Sequence, residues 1–124
     1  ADGVASAKAL WAASGWFATA RETPETAALL DRILDDYSGW HWLNDSRPRA
    51  IQPAAATRLA ELKVPALVIT GERDLPYNRQ IHEVLAAGLS DVQALLLPDV
   101  GHLPNLEAPA RVNAALLALG ARCQ

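Results

Sequence analysis

The fold is decided by residues 64–102, which read VPALVITGERDLPYNRQIHEVLAAGLSDVQALLLPDVGH. Two apolar runs, 66–70 and 92–97, are followed by a glycine and a proline, and residues 77–89 between them carry apolar side chains at helical spacing. A strand, a helix and a second strand in this order predict a right-handed βαβ unit with parallel strands. We therefore expect an α/β protein in which both strands end at the same edge of the sheet.

An acid and a histidine directly follow the two predicted strands. Asp74 comes three residues after Gly71, and His102 comes directly after Gly101. A histidine acts as a general base near neutral pH when a carboxylate orients one of its ring nitrogens, so neighbouring strands would make these two residues an acid–base pair. Spacing alone also allows a structural interpretation, in which Asp74 caps the following helix and His102 is an ordinary loop residue.

The remaining segments are predicted to be mainly helical. A proline or an N-cap residue marks several helix starts, and glycines mark several ends. The predicted elements are a helix over 6–13 ended by Ser14-Gly15, a helix from Thr23 with an apolar stripe of Leu30, Ile33, Leu34 and Tyr37, an aromatic loop over 40–48, a short helix over 54–62, and a final helix from Pro109 with Val112, Leu116 and Leu119 on one face and Gly120 as its stop.

Composition narrows the class of protein. The 124 residues are 51% hydrophobic and 20% charged, which is typical of a globular domain, and the net charge of −3 gives no basic surface for nucleic acid or an anionic membrane. No apolar run approaches the roughly 18 residues of a membrane span. The sole cysteine is Cys123, so an internal disulfide is impossible and a reducing cytoplasm is the expected compartment. The histidines do not follow a metal-ligand spacing, and no glycine-rich phosphate loop is present, so we expect neither a metal nor a nucleotide cofactor.

A sheet of two parallel strands would be incomplete. Parallel strands are normally buried on both faces and flanked by further strands, and isolated pairs are not stable in water. The run 66–70 has the composition of an interior strand. We therefore expect that either more chain, such as an N-terminal half, or a second molecule completes the sheet.

Residues 64–74 (VPALVITGERD) and 97–109 (LPDVGHLPNLEAP) resemble the C-terminal part of the α/β-hydrolase fold family, most closely its bacterial esterases, enol-lactonases and C–C-bond hydrolases. The resemblance covers roughly residues 55–120, and its two motifs occur in the family's order with suitable spacing. It implies that Asp74 is the acid and His102 the base of a catalytic triad. It also implies a cofactor-independent reaction on an ester, a lactone or a related small carbonyl compound.

The same resemblance divides the chain into two regions. Residues 1–54 resemble the family's helical cap loosely, and residues 55–124 would be the C-terminal part of the α/β-hydrolase core. All four tryptophans lie before residue 50. The resemblance implies an apolar substrate pocket with Trp40 and Trp42 in its wall and with Leu75 and Leu103 near its mouth. Packing in an aromatic core is the alternative role for Trp40 and Trp42.

The chain departs from the family at the nucleophile. The family's serine lies on a Gly-x-Ser-x-Gly turn upstream of the acid and the base, and this chain contains no such motif. Ser14 and Ser38 are each followed by glycine, but helix termination and capping explain them better. The expectation is therefore the C-terminal portion of a serine-type hydrolase, inactive by itself. The alternative is a non-catalytic binding module that uses its tryptophan-rich region against a ligand or partner.

Overall fold

The structure, a computed structural model, describes residues 2–44 and 52–123. Within these ranges six α-helices, two β-strands and four short 3₁₀ turns alternate along the chain. The helices and strands are α1 (Asp2–Ala12), α2 (Pro24–Asp36), α3 (Trp40–Leu43), β1 (Ala66–Gly71), α4 (Pro76–Gly88), β2 (Val92–Leu97), α5 (Pro104–Glu107) and α6 (Pro109–Arg122), and the 3₁₀ turns are Gly15–Phe17, Thr19–Arg21, Ala55–Thr57 and Leu59–Glu61. Residues 45–48 of the predicted aromatic loop lie outside the described residues.

The two strands form a parallel pair with α4 as the crossover between them. Their register runs from Ala66 opposite Val92 to Gly71 opposite Leu97, so both strands end level with each other. This confirms a mixed α/β architecture with two parallel strands. It also places the turns that follow Gly71 and Leu97 side by side, which is the condition for bringing Asp74 and His102 together.

Helices cover the two faces of the sheet unequally. On one face Ile69, Leu95 and Leu97 pack with Val100 and with Val112 of α6. On the other face α4 packs against the sheet. The first four residues of β1 are only partly buried, whereas the sequence predicted a buried interior strand. Their exposure follows from the sheet's width, because each strand of a two-stranded sheet has one edge without a neighbour.

The N-terminal helices form a second apolar cluster. Phe17 and Ala20 are buried against Leu30 and Leu34 of α2, and the Thr23 hydroxyl caps that helix by accepting the Thr26 N–H. Two members of the predicted stripe are therefore in the core. A third, Ile33, is exposed.

An exposed ion pair links the N-terminal helices to the sheet. Arg73, in the turn after β1, donates two hydrogen bonds to the Glu22 carboxylate. These hydrogen bonds lower the pKa of Glu22, with a smaller Coulombic contribution from the same guanidinium. The turn that carries Asp74 is thus tied to the N-terminal helices.

Two predicted boundaries in the N-terminal half are wrong. Residues 40–43 form helix α3 instead of a loop, because Trp42 packs edge-on against Trp11 and against Tyr37. Residues 54–62 form two 3₁₀ turns instead of one helix, because Arg58 between them has φ −124° and ψ 9°, outside helical geometry.

The last helix also differs from its prediction. It continues through Gly120 to Arg122, because an exposed glycine inside a helix costs only about 1 kcal/mol relative to alanine and does not by itself end the helix. Its buried residues are Val112 and Ala115, while Leu116 is exposed. The four-residue helix α5 was not predicted. None of the helices in the described ranges has the length and apolarity needed to cross a membrane.

Candidate active site

Asp74 is held at the carboxyl end of β1 by a turn that is hydrogen-bonded to the end of β2. The Glu72 N–H donates to the Leu97 carbonyl at 2.9 Å, and the Arg73 N–H donates to the Val100 carbonyl at 2.8 Å. These two bonds fix the turns after the two strands against each other. The relative positions of Asp74 and His102 are therefore set by backbone contacts as well as by their own side chains.

His102 follows a tight turn at the end of β2. Asp99 has a positive φ of 63°, a left-handed conformation that aspartate tolerates better than most residues. Val100 and Gly101 behind it are buried. This turn reverses the chain toward α5 and leaves His102 at its tip.

The structure places Asp74 and His102 in hydrogen-bond contact. His102 Nδ1 lies 3.0 Å from Oδ2 and 3.1 Å from Oδ1 of Asp74. The Asp74 side chain is 6% exposed, whereas the His102 side chain is 32% exposed. The carboxylate is thus shielded from water, and the imidazole remains accessible to a reacting molecule.

Two further donors hold the Asp74 carboxylate in place. The Leu75 N–H donates to Oδ1 at 2.7 Å, and the Asn78 amide nitrogen donates to the same oxygen at 2.8 Å. A buried carboxylate needs such donors because an unpaired buried charge is costly. Asn78, on the first turn of α4, was not predicted from the sequence. The available signal was its distance of four residues from Asp74, a spacing at which side chains near a helix start can contact each other.

The contacts assign the tautomer of His102. An ionised carboxylate only accepts hydrogen bonds, so Nδ1 of His102 carries the proton that faces Asp74. The Asn78 amide nitrogen lies 3.2 Å from Nδ1. It donates to Asp74 and only contacts the ring, because a protonated Nδ1 cannot accept a hydrogen bond. Nε2 is then the acceptor nitrogen, and it has no hydrogen-bond partner within residues 2–44 and 52–123.

Glu107 clamps the turn on both sides of His102. Its carboxylate accepts the Gly101 N–H at 2.5 Å through Oε2 and the Leu103 N–H at 3.0 Å through Oε1. The residues immediately before and after His102 are thereby fixed to α5. Glu107 lies in the segment 97–109 that carries the resemblance, but its role could not be predicted, because the contact depends on how α5 folds back.

We expect Glu107→Ala to expose both clamped amides. Removing the acceptor of a partly buried N–H costs about 1–3 kcal/mol, so hydrogen exchange of Gly101 and Leu103 should quicken about 10- to 100-fold. Glu107→Gln should give an intermediate effect, because its carbonyl oxygen can accept only on one side. Glu83→Ala, at an exposed position of α4, is the matched control. Unchanged exchange at both amides in Glu107→Ala would contradict the clamp.

A cavity of about 510 Å³ adjoins His102. It lies between the N-terminal helices and the segment from His102 to α5, and its walls are mainly apolar. The residues that line it are Trp11, Trp16, Phe17, Leu30, Ile33, Leu34, His102, Leu103, Asn105 and Leu106.

Of the four predicted pocket residues, Leu103 lines this cavity. Leu75 is partly buried beside Asp74, and its backbone N–H binds the carboxylate. Trp40 and Trp42 are exposed on α3 and are not among the residues that line the cavity. Trp11 and Trp16 occupy that position instead, and no local sequence signal distinguished the two pairs of tryptophans.

None of the serines in the described part of the chain is hydrogen-bonded to His102. Ser38 accepts the Trp40 N–H, and Ser90 donates to the Ala60 carbonyl. Ser14 Oγ is buried without a hydrogen-bond partner. Ser46 lies outside the described residues. The capping interpretation of Ser38 is consistent with its contact, and no nucleophile for His102 is identified among the described serines.

The other two histidines have different surroundings. His82 is partly buried, and its Nδ1 lies 3.0 Å from Oγ1 of the buried Thr70. His41 stacks on Tyr37 in the aromatic cluster around α3. Across residues 2–44 and 52–123, no three His, Cys, Asp or Glu side chains are grouped so as to hold a metal ion.

Comparisons of the chain with known protein families, with curated proteins and with solved structures find no match.

Proposed function

We propose that this protein is part of a serine-type α/β hydrolase, with Asp74 as the acid and His102 as the base of its catalytic triad. The observation that carries the proposal is the hydrogen bond from His102 Nδ1 to the buried carboxylate of Asp74. A buried acid, a partly exposed imidazole and an unoccupied Nε2 are what general-base catalysis requires. The substrate class is an ester, a lactone or a related carbonyl compound, and the chemistry uses no cofactor.

The proposed reaction is acyl transfer in two steps. A serine oxygen attacks the carbonyl carbon while its proton moves to Nε2 of His102, and the carbonyl oxygen takes up the negative charge. When the bond to the leaving group breaks, the leaving group takes that proton. Water then attacks the acyl-enzyme in the same way and releases the acid and the serine. Asp74 stays ionised throughout and stabilises the imidazolium.

The nucleophile is proposed to come from a strand that pairs with the open edge of β1. Ile81 of α4 is exposed beside β1. A cleft of about 270 Å³ beside β1 is lined by Asp74, His102 and Thr70 together with α4 side chains. A parallel strand here would cover these groups and would end beside His102. An N-terminal half or a second chain would supply this strand.

We propose a cytoplasmic location for the protein, because its sole cysteine allows no internal disulfide.

Covalent labelling tests the proposed hydrolase function. The protein expressed from its full reading frame is treated with a fluorophosphonate, which phosphonylates an activated serine and releases fluoride. We expect one serine outside the described residues to be labelled. His102→Ala should slow labelling at least about 100-fold, because general-base assistance contributes about 10²- to 10⁴-fold. Labelling at an equal rate in both proteins would contradict the proposal.

A complete absence of labelled serine would favour the alternative function. The chain would then be a binding module in which the Asp74–His102 pair is structural. Heat-denatured protein is the control for non-specific phosphonylation, and the labelled residue is identified by peptide mass spectrometry.

A further inference from the structure

The cavity beside His102 has the size of a site for a small organic group. Ligand sites typically measure about 300–1,000 Å³ and combine apolar walls with a few polar groups. This cavity measures about 510 Å³, and its polar side chains are the imidazole of His102 and the amide of Asn105, apart from the indole N–H groups of its tryptophans. We propose that this cavity binds an uncharged ring of the substrate, either aromatic or alkyl-substituted. This inference rests on the proposed function and specifies its substrate.

The charge of the lining selects against ionised groups. Within residues 2–44 and 52–123, no residue that lines the cavity has an ionisable side chain apart from His102. A carboxylate, phosphate or ammonium group placed among Phe17, Ile33 and Leu106 would lose its hydration without gaining a partner. The group that occupies the cavity is therefore neutral, and the reacting carbonyl lies at its His102 end.

Trp16 links this cavity to the catalytic pair. Its ring centroid lies 4.4 Å from that of His102, with an interplanar angle of 71°, and it also packs against the apolar cluster of the N-terminal helices. An edge-to-face contact of this kind orients both rings. A bound ring would thus lie in contact with Trp16 and beside His102, so that Trp16 determines which substrates place their carbonyl correctly.

Three ligands with the same ring and different charge test the site. The protein expressed from its full reading frame is titrated with benzyl alcohol, benzoate and benzylammonium, and ¹³C-methyl signals of Ile33, Leu103 and Leu106 report binding. We expect benzyl alcohol to shift these signals and to bind at least about tenfold more tightly than either ion, since unpaired burial of a charge costs well over 1.4 kcal/mol. Equal affinity for the three, or no shift at saturation, would overturn the proposal.

Two substitutions locate the binding. Ile33→Trp adds volume at the cavity wall and should lower the affinity for benzyl alcohol about tenfold. This loss is within the range for a filled apolar pocket. Leu116→Trp on α6 is the matched control, because Leu116 is 52% exposed and Ile33 is 53% exposed. Trp16→Leu removes the ring that contacts His102 and should also weaken binding. Unchanged affinity in both Ile33→Trp and Trp16→Leu, with folding verified by circular dichroism, would overturn the site.

The outcomes separate this inference from the proposed function. Fluorophosphonate labelling without ring binding would retain the hydrolase and reject the neutral-ring site. Ring binding without labelling would support the site and contradict hydrolysis, since this measurement requires no nucleophile.

Discussion

Replacing His102 by alanine is expected to lower kcat/KM for p-nitrophenyl butyrate by about 10³-fold in the protein expressed from its full reading frame. The loss corresponds to about 4 kcal/mol of transition-state stabilisation. In the proposed mechanism, Nε2 of His102 takes the proton from the nucleophile and later from the attacking water, and general acid–base catalysis contributes about 10²- to 10⁴-fold. Stopped-flow or spectrophotometric release of p-nitrophenolate measures it.

Asp74→Asn should cause a comparable loss for a different reason. The amide that replaces the carboxylate would present an N–H₂ group to Nδ1, or an oxygen that carries no charge. The first arrangement favours the wrong tautomer of His102, and the second removes the charge that stabilises the imidazolium. The ¹⁵N signals of the ring should shift from the Nδ1–H tautomer toward a mixture, even in the absence of substrate.

His82→Ala is the matched control for both variants. His82 is also a partly buried histidine with a single described hydrogen bond, to Thr70, and it lines the cleft next to Asp74 and His102. We expect the kcat/KM of His82→Ala to stay within about threefold of that of the original protein, because the proposed mechanism gives His82 no part in proton transfer. A loss in His82→Ala equal to that in His102→Ala would mean that the histidines act through stability, and no loss in either would contradict catalysis by His102.

The parts of the fold that could be predicted from the sequence depend on local signals. The apolar runs that became β1 and β2, the helix between them and the Thr23 cap are each specified by residues within a few positions. Once the strands are parallel and adjacent, the contact between Asp74 and His102 follows from topology. The catalytic role of the two residues remains a prediction.

The walls of the cavity could not be predicted because they depend on contacts between distant segments. Trp16 and Trp42 are both bulky aromatic residues near glycines, yet only Trp16 meets His102. The difference depends on how the 3₁₀ turns after α1, which carry Trp16 and Thr19, pack near Gly101 and α5, and local periodicity does not encode this packing. The exposure of β1 is likewise a property of the sheet's width, and its composition predicts the burial it would have in a wider sheet.

Gly71→Ala is expected to destabilise the protein strongly, whereas the same methyl group added at Gly120 is not. Gly71 is the last residue of β1 and is buried opposite Leu97. A Cβ built at this position would overlap the carbonyl oxygens of Val100 and Gly101, nearer than real Cβ atoms approach any neighbour. Both obstacles are backbone atoms of the turn that carries His102, so they cannot move aside as a flexible side chain would.

The expected cost of Gly71→Ala is about 2–4 kcal/mol, the range for overpacking a rigid site. Urea unfolding followed by circular dichroism measures it. Gly120→Ala is the matched control, because a Cβ at this helical position meets nothing within 4 Å. It should stabilise the protein by about 0.4–1 kcal/mol through the smaller entropy of the unfolded chain. Equal midpoints for Gly71→Ala and the original protein would mean that the two turns are not in contact, and the positions of Asp74 and His102 would then lose their structural basis.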